Sequence, residues 1–212
     1  YIFTWKTLKE ALLANRQEEG LDFGKHVIPY CREKGYPLYA YEFNGYWKDV
    51  GTLTSYWEAN MELIDIVPEF NLYEEYWKIY TKSTSITPQF FGPNSEIERT
   101  IAGEGTEVYG KVYSSVIGCD VTIGEGSVVR NSIIMNGAVI GAGCILDKVI
   151  CAENSVIGDG AGVGEGEEAP NESRPDIYCG GLVTIGENSV IPAGVRIGKN
   201  VMISGQTREE DY

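Results

Sequence analysis

The chain has 212 residues, 43% of them hydrophobic, and a formal net charge of −14. That length holds one large domain or two modest ones with a buried core. The acidic balance excludes nucleic acid and anionic membrane surfaces as main partners, because both recruit Lys and Arg; a small anionic substrate held by a metal ion and a few local cations stays open.

The cysteines (Cys31, Cys119, Cys144, Cys151, Cys179) are odd in number and contain no C-x-x-C pair. They read as buried thiols of a reducing cytoplasm, not as a disulfide framework or a zinc site. No apolar run reaches membrane-spanning length and no signal peptide is evident. The chain opens on Tyr1-Ile2-Phe3-Thr4-Trp5, without an initiator Met, and is expected to be a piece of something longer.

Composition changes near residue 100. All four Trp lie before it and 20 of the 26 Gly after it, so two architectures are expected. Residues 1–3 read as a strand end. Thr4 is placed to cap a helix over residues 5–18, with Trp5, Leu8 and Leu12 on one face. Asp22-Phe23-Gly24-Lys25 leads into a second helix over 25–34, which Gly35 ends. Residues 36–43 alternate, with Tyr39, Tyr41 and Phe43 on one side, and predict a strand. Asn44-Gly45 then turns the chain into Tyr46-Trp47-Lys48-Asp49-Val50-Gly51-Thr52. A third helix is predicted from Leu53 to Asp65, capped by Thr52 or Thr54, with Leu53, Tyr56, Trp57, Asn60 and Ile64 on one side. Residues 66–100 read as an extended connector packed by Phe70, Tyr73, Tyr76, Trp77, Phe90 and Phe91, since a flexible linker would lack such rings.

From about Ile101 the chain repeats in hexads. Ile185, Ile191, Ile197 and Ile203 recur every six residues, each followed by a small or turn-forming residue. Neither helical nor strand alternation has that period. It fits a chain that turns a corner every six residues and stacks its aliphatics coil on coil. The prediction is a left-handed parallel β-helix over 101–212, one of the few exceptions to right-handed crossovers. Ile117, Ile123, Val129 and Met135 carry the same step, after which the phase slips to Ile140, Leu146, Ile157 and Val163. Residues 165–181 are acidic, contain Pro170 and Pro175, and predict a loop thrown out of the coils. Each buried aliphatic is worth about 1.5–3 kcal/mol, so this half should be rigid.

Chemistry is sparse. Asp49 follows an extended segment and precedes Gly51-Thr52 and a helix start. Such a carboxylate can hold a hard cation such as Mg²⁺, which takes one or two protein carboxylates plus phosphate oxygens and water; a turn Asp bonding backbone amides is the plain alternative. Asp22 and Lys25 can meet sugar hydroxyls and phosphate, or simply begin a helix. His26 is the sole histidine and lies outside the hexads. The coils thus offer no His base of the kind hexad-repeat acyltransferases use, which counts against acyl transfer. Lys111, Arg130, Lys148, Arg174, Arg196, Lys199 and Arg208 are scattered among acids and read as a solvated face, with an anionic effector site as the other possibility.

The run Tyr46-Trp47-Lys48-Asp49-Val50-Gly51-Thr52, followed by Tyr56-Trp57-Glu58-Ala59-Asn60, resembles the sugar-nucleotide pyrophosphorylases. With Asp22-Phe23-Gly24-Lys25, the aromatic connector and the hexads, the whole chain resembles the bacterial glucose-1-phosphate adenylyltransferase family (ADP-glucose pyrophosphorylases). The resemblance implies an α/β fold, the end of a Rossmann-like nucleotidyltransferase domain at 1–65, joined through the connector to the β-helix. It implies ATP and glucose 1-phosphate as substrates, ADP-glucose and pyrophosphate as products, and a role in glycogen synthesis. Asp49 then matches the Mg²⁺ aspartate, Asp22 a position near the glucose moiety, and Trp47 the aromatic beside the sugar pocket. The family also implies a homotetramer, with effector sites involving the β-helix. Its glycine-rich nucleotide loop, first metal aspartate and substrate-gripping lysine have no match in these residues, so no catalytic residue is assigned here and the chain alone is expected to be inactive. His26 stands where many relatives have an acid. A non-catalytic regulatory subunit and another sugar-nucleotide pyrophosphorylase are the competing functions.

Overall fold

The computed structural model describes residues 1–17, 21–72, 74–78, 80 and 86–205. Tyr73, Arg208 and the helix end expected near Glu18 lie outside the described residues. The chain forms two compact units, Tyr1–Gly45 and Tyr46–Tyr212. No described helix is long and apolar enough to cross a membrane.

In the first unit, α1 spans Trp5–Ala14. A single π-turn over Phe23–Val27 runs into α2, Ile28–Glu33. Gly35 follows with φ of +73°, a conformation that ends helices cheaply only in glycine. The core is Ala11, Val27 and Cys31, with Phe3, Leu12, Phe23, Tyr30 and Tyr36 packed around it. The buried stripe of α1 therefore centres on Ala11, and Trp5 is mostly exposed. The strands expected at residues 1–3 and 36–43 do not form, and Tyr39 and Tyr41 are exposed. Alternation tells which side chains share a face; a strand also needs a neighbour to take its hydrogen bonds, and no described residue pairs with either segment.

The second unit is built on a parallel solenoid, in keeping with a left-handed β-helix. It has three sheets of six strands, and every described pairing is parallel. The strands run from β1 (Phe90–Phe91) to β18 (Met202–Ile203), three to a coil. One sheet stacks Val108, Ile123, Ile140, Ile157 and Ile191. The second stacks Val112, Val129, Leu146, Val163 and Ile197, and the third Ile117, Ile134, Cys151, Ile185 and Ile203. All of these residues belong to one buried cluster. Glycine follows several ladder positions where the coils come close: a Cβ on Gly118 would sit 2.8 Å from the Asn136 nitrogen, and one on Gly124 would sit 2.7 Å from that of Ala142.

The slip in the hexads has a structural cause. In the first four coils the corner between the second and third sheets is one residue short, so Val129 is followed on the ladder by Ile134, not Met135, whereas the last coil keeps the six-residue step from Ile197 to Ile203. Met135 instead packs outside the coils. Each short corner turns on one non-glycine residue with positive φ: Arg99 (48°), Ser114 (46°), Asn131 (53°) and Lys148 (58°). That conformation costs about 1–2 kcal/mol for an ordinary side chain. The coils also begin at Phe90, ahead of Ile101. Their first turn carries Glu96-Ile97-Glu98 in place of an Ile-Gly hexad, which hides it in the sequence.

The loop at 165–181 leaves the solenoid at the same corner, between β14 (Gly162–Val163) and β15 (Val183–Ile185). Asn200, 3% exposed, ties it down. Its Oδ1 accepts from the Gly181 N–H at 2.7 Å, and its Nδ2 donates to the Ala169 carbonyl at 2.8 Å and to Glu168 Oε1 at 3.2 Å.

Helix α3, Leu53–Glu62, packs on the outer face of the third sheet. Leu53, Tyr56, Trp57 and Met61 cover Ile133, Ile150 and Leu182. Among the connector aromatics, Phe70 packs on Tyr46 with ring centroids 5.4 Å apart and Phe90 on Tyr109 at 5.8 Å. Tyr76 and Trp77 are exposed, so those two rings do not pack as expected.

Candidate functional site

Thr52 caps α3 through a reciprocal pair with Ser55. Thr52 Oγ1 accepts from the Ser55 N–H at 3.1 Å, and the Thr52 N–H donates to Ser55 Oγ at 3.0 Å. Capping of this kind satisfies donors that the helix start leaves open. It fixes the place where the preceding segment, residues 46–51, meets the helix.

That segment runs back along α3 and alternates in its contacts. The Tyr46 hydroxyl donates to Glu62 Oε2 at 2.9 Å, and Lys48 Nζ donates to Glu62 Oε1 at 2.6 Å and to Glu58 Oε2 at 3.4 Å. Trp47 and Asp49, the intervening residues, are left to solvent, Trp47 at 74% exposure. Among the described residues Asp49 makes no hydrogen bond or ion pair. Gly51 lies beside it, and a Cβ on Gly51 would stand 3.5 Å from Asp49 Oδ1.

The tether shows in the ionisation of its members. The Lys48 ammonium and then the Tyr46 hydroxyl hold the Glu62 carboxyl below its ordinary value. Glu62 in turn raises Lys48 and Tyr46.

A cleft of about 400 Å³ opens beside this segment. Val50, Gly51, Thr52, Leu53 and Tyr56 form one wall and Asp176 and Ile177 of the 165–181 loop the other. The loop from the coils thus reaches the start of α3. Nothing in its acidic sequence signalled that.

Asp22 belongs to the first unit, and Trp47 and Asp49 to the second. Asp22 caps the π-turn: its Oδ1 accepts from the Lys25 N–H at 2.7 Å, and its own N–H donates to His26 Nδ1 at 3.0 Å. The Lys25 amide holds its carboxyl below the usual range. His26 is therefore part of a helix start.

Most of the scattered cations are engaged. Lys111 pairs with Glu96 at 2.6 Å, Arg130 with Asp147 at 3.1 Å and Arg174 with Asp176 at 3.4 Å. Arg196 donates to the Gly160 carbonyl at 2.7 Å, and Lys148 lies over the Trp57 ring. Glu62, the residue to which the motif segment is tied, carried one sequence sign: Glu58 and Glu62 are four apart on a helix whose preceding segment holds a lysine.

Comparison with known proteins gives two family matches. Residues 1–66 match the model described as Nucleotidyl transferase, and residues 90–185 match that described as GlmU-like, C-terminal hexapeptide. The whole chain is similar to curated glucose-1-phosphate adenylyltransferases. It is 58% identical over 212 residues to that of Lachnospira eligens, spanning 100% of this chain and 50% of the relative. It is 46% identical over 215 residues to that of Thermotoga maritima (100% and 51%), and 42% identical over 214 residues to that of Acetivibrio thermocellus (100% and 50%). The chain spans about half the length of the curated relatives it matches.

Proposed function

We propose that this chain, which belongs to the family of the glucose-1-phosphate adenylyltransferases, is the C-terminal part of an enzyme that joins ATP and glucose 1-phosphate into ADP-glucose and pyrophosphate for glycogen synthesis. The observation that carries the reading is the motif segment itself. In a chain similar along its whole length to those enzymes, residues 46–52 are pinned to α3 so that Trp47 and Asp49 stay exposed beside a cleft.

Asp49 suits one ligand position of Mg²⁺: a hard carboxylate oxygen, unengaged by protein, next to glycine. Among the described residues no group of three or more His, Cys, Asp or Glu could hold a metal, so the remaining ligands come from phosphate oxygens, water and a further carboxylate. When bound, the ion neutralises phosphate charge as the sugar phosphate attacks the α-phosphorus of ATP. Trp47 offers a flat apolar face to the sugar, and Asp22 accepts sugar hydroxyls from the edge of its helix start. The work of these side chains is positioning.

In this reading residues 1–65 close the nucleotidyltransferase domain and 66–100 lead into the β-helix. The coils brace a homotetramer and transmit effector binding, and the enzyme works in the cytoplasm. The test is to supply the full-length protein with glucose 1-phosphate, Mg²⁺ and either ATP or GTP. ADP-glucose formed from ATP in preference to GDP-glucose from GTP is the expected result. No nucleotide sugar from either nucleotide would overturn the reading in favour of a regulatory subunit, and a preference for GTP would move it to another pyrophosphorylase.

A further inference from the structure

We propose that Glu62 is a positioning residue for the metal ligand Asp49, holding the Asp49 segment to a helix that the β-helix itself keeps in place; this rests on the function proposed above.

Both oxygens of Glu62 are used. Oε2 accepts from Tyr46 and Oε1 from Lys48, at 2.9 and 2.6 Å. Tyr46 and Lys48 bracket Trp47, and Lys48 directly precedes Asp49. In an extended chain neighbouring side chains point to opposite sides, so fixing residues 46 and 48 against α3 directs 47 and 49 away from it. The pair to Lys48 is charge-assisted, the stronger kind of hydrogen bond. Glu58 at 3.4 Å is a weaker second partner and does not reach Tyr46.

The other end of the tether is anchored too. Met61, next to Glu62, packs with Tyr56, Trp57 and Leu53 on Ile133, Ile150 and Leu182 of the coils. The Trp57 indole is bonded to a corner carbonyl. A carboxylate that must meet a metal within a fraction of an ångström gains from such support, and loss of a partner that orients a ligand typically weakens metal binding about 10–100-fold.

Glu62→Gln offers one acceptor oxygen where two donors need two. The experiment compares wild type, Glu62→Gln, Lys48→Met and Tyr46→Phe in the full-length protein. Mn²⁺ binding is followed by the EPR signal of the free ion, and amide hydrogen exchange is followed at residues 47–51. Glu62→Gln is expected to weaken Mn²⁺ binding about 10-fold and to speed exchange at 47–51 while leaving exchange in the coils unchanged. Lys48→Met should do the same and Tyr46→Phe should weaken binding less, and adding either to Glu62→Gln should weaken it by less than the product of the two single effects. Wild-type Mn²⁺ affinity and exchange in Glu62→Gln would overturn the proposal. Wild-type protein that shows the expected Mn²⁺ and exchange pattern but makes no nucleotide sugar would overturn the function and leave the tether standing.

Discussion

The indole N–H of Trp57 donates to the main-chain carbonyl of Asn131 at 2.6 Å. Asn131 occupies a short corner with φ of 53°, and the ammonium of Lys148, at the next corner, lies 4.8 Å from the Trp57 ring centroid. One column of strained corners is thus the docking track for α3. Trp57→Phe removes the hydrogen bond and weakens the cation–π contact, and should cost about 1–2 kcal/mol. Urea unfolding followed by circular dichroism measures it; an unchanged midpoint would show that the corner contact contributes nothing.

The ladder should be far less tolerant than the coil exterior. Ile140 is buried between Ile123 and Ile157, and Ile140→Ala should cost about 2–5 kcal/mol. Val139, one residue away and facing out, should accept Thr within about 0.5 kcal/mol. The same unfolding curves separate the two; equal losses would contradict the inward and outward assignment.

Thiol labelling should follow burial. Cys151 sits on the ladder, where desolvation pushes its thiol up to about 12. Cys144 is buried and raised for the same leading reason. Cys179 lies exposed on the 165–181 loop. Iodoacetamide at pH 8 should modify Cys179 first and leave Cys144 and Cys151 untouched until denaturant is added, as peptide mass mapping will read, because the thiolate is the reactive form.

The Glu62 tether should be pH-dependent at both ends. Glu62 is held below its ordinary value. Its contribution is present above the unfolded value of about 4.3 and is lost as pH falls through the lower folded value. Lys48 and Tyr46 are raised. Their share is present below the unfolded values near about 10 and lost as pH rises through the higher folded ones. Wild type should therefore exceed Glu62→Gln in stability at neutral pH and converge with it in acid. A gap that persists unchanged at pH 3 would show that it does not come from the ionised pair.

The β-helix was legible because its inward residues recur with the corners: Ile185, Ile191, Ile197 and Ile203 all lie on the ladder. Met135 was misassigned because a five-residue step looks like noise in a six-residue pattern until the corner at Asn131 is seen. The first coil was hidden because Glu96 and Glu98 face out around a single aliphatic, Ile97. The alternation at 36–43 named a face and not a partner. At the site, the motif around Asp49 stood out through its resemblance to a known family. Glu62 did not, because a contact between residues 14 and 16 positions apart leaves no period in a sequence.

The most direct test is Asp49→Asn in the full-length protein, assayed for ADP-glucose and pyrophosphate across Mg²⁺ concentrations, with circular dichroism as the fold control. The account predicts an unchanged spectrum and loss of most of kcat, since the amide keeps the shape of the side chain and loses the charge that holds the ion. A near-normal kcat at limiting Mg²⁺ would contradict it.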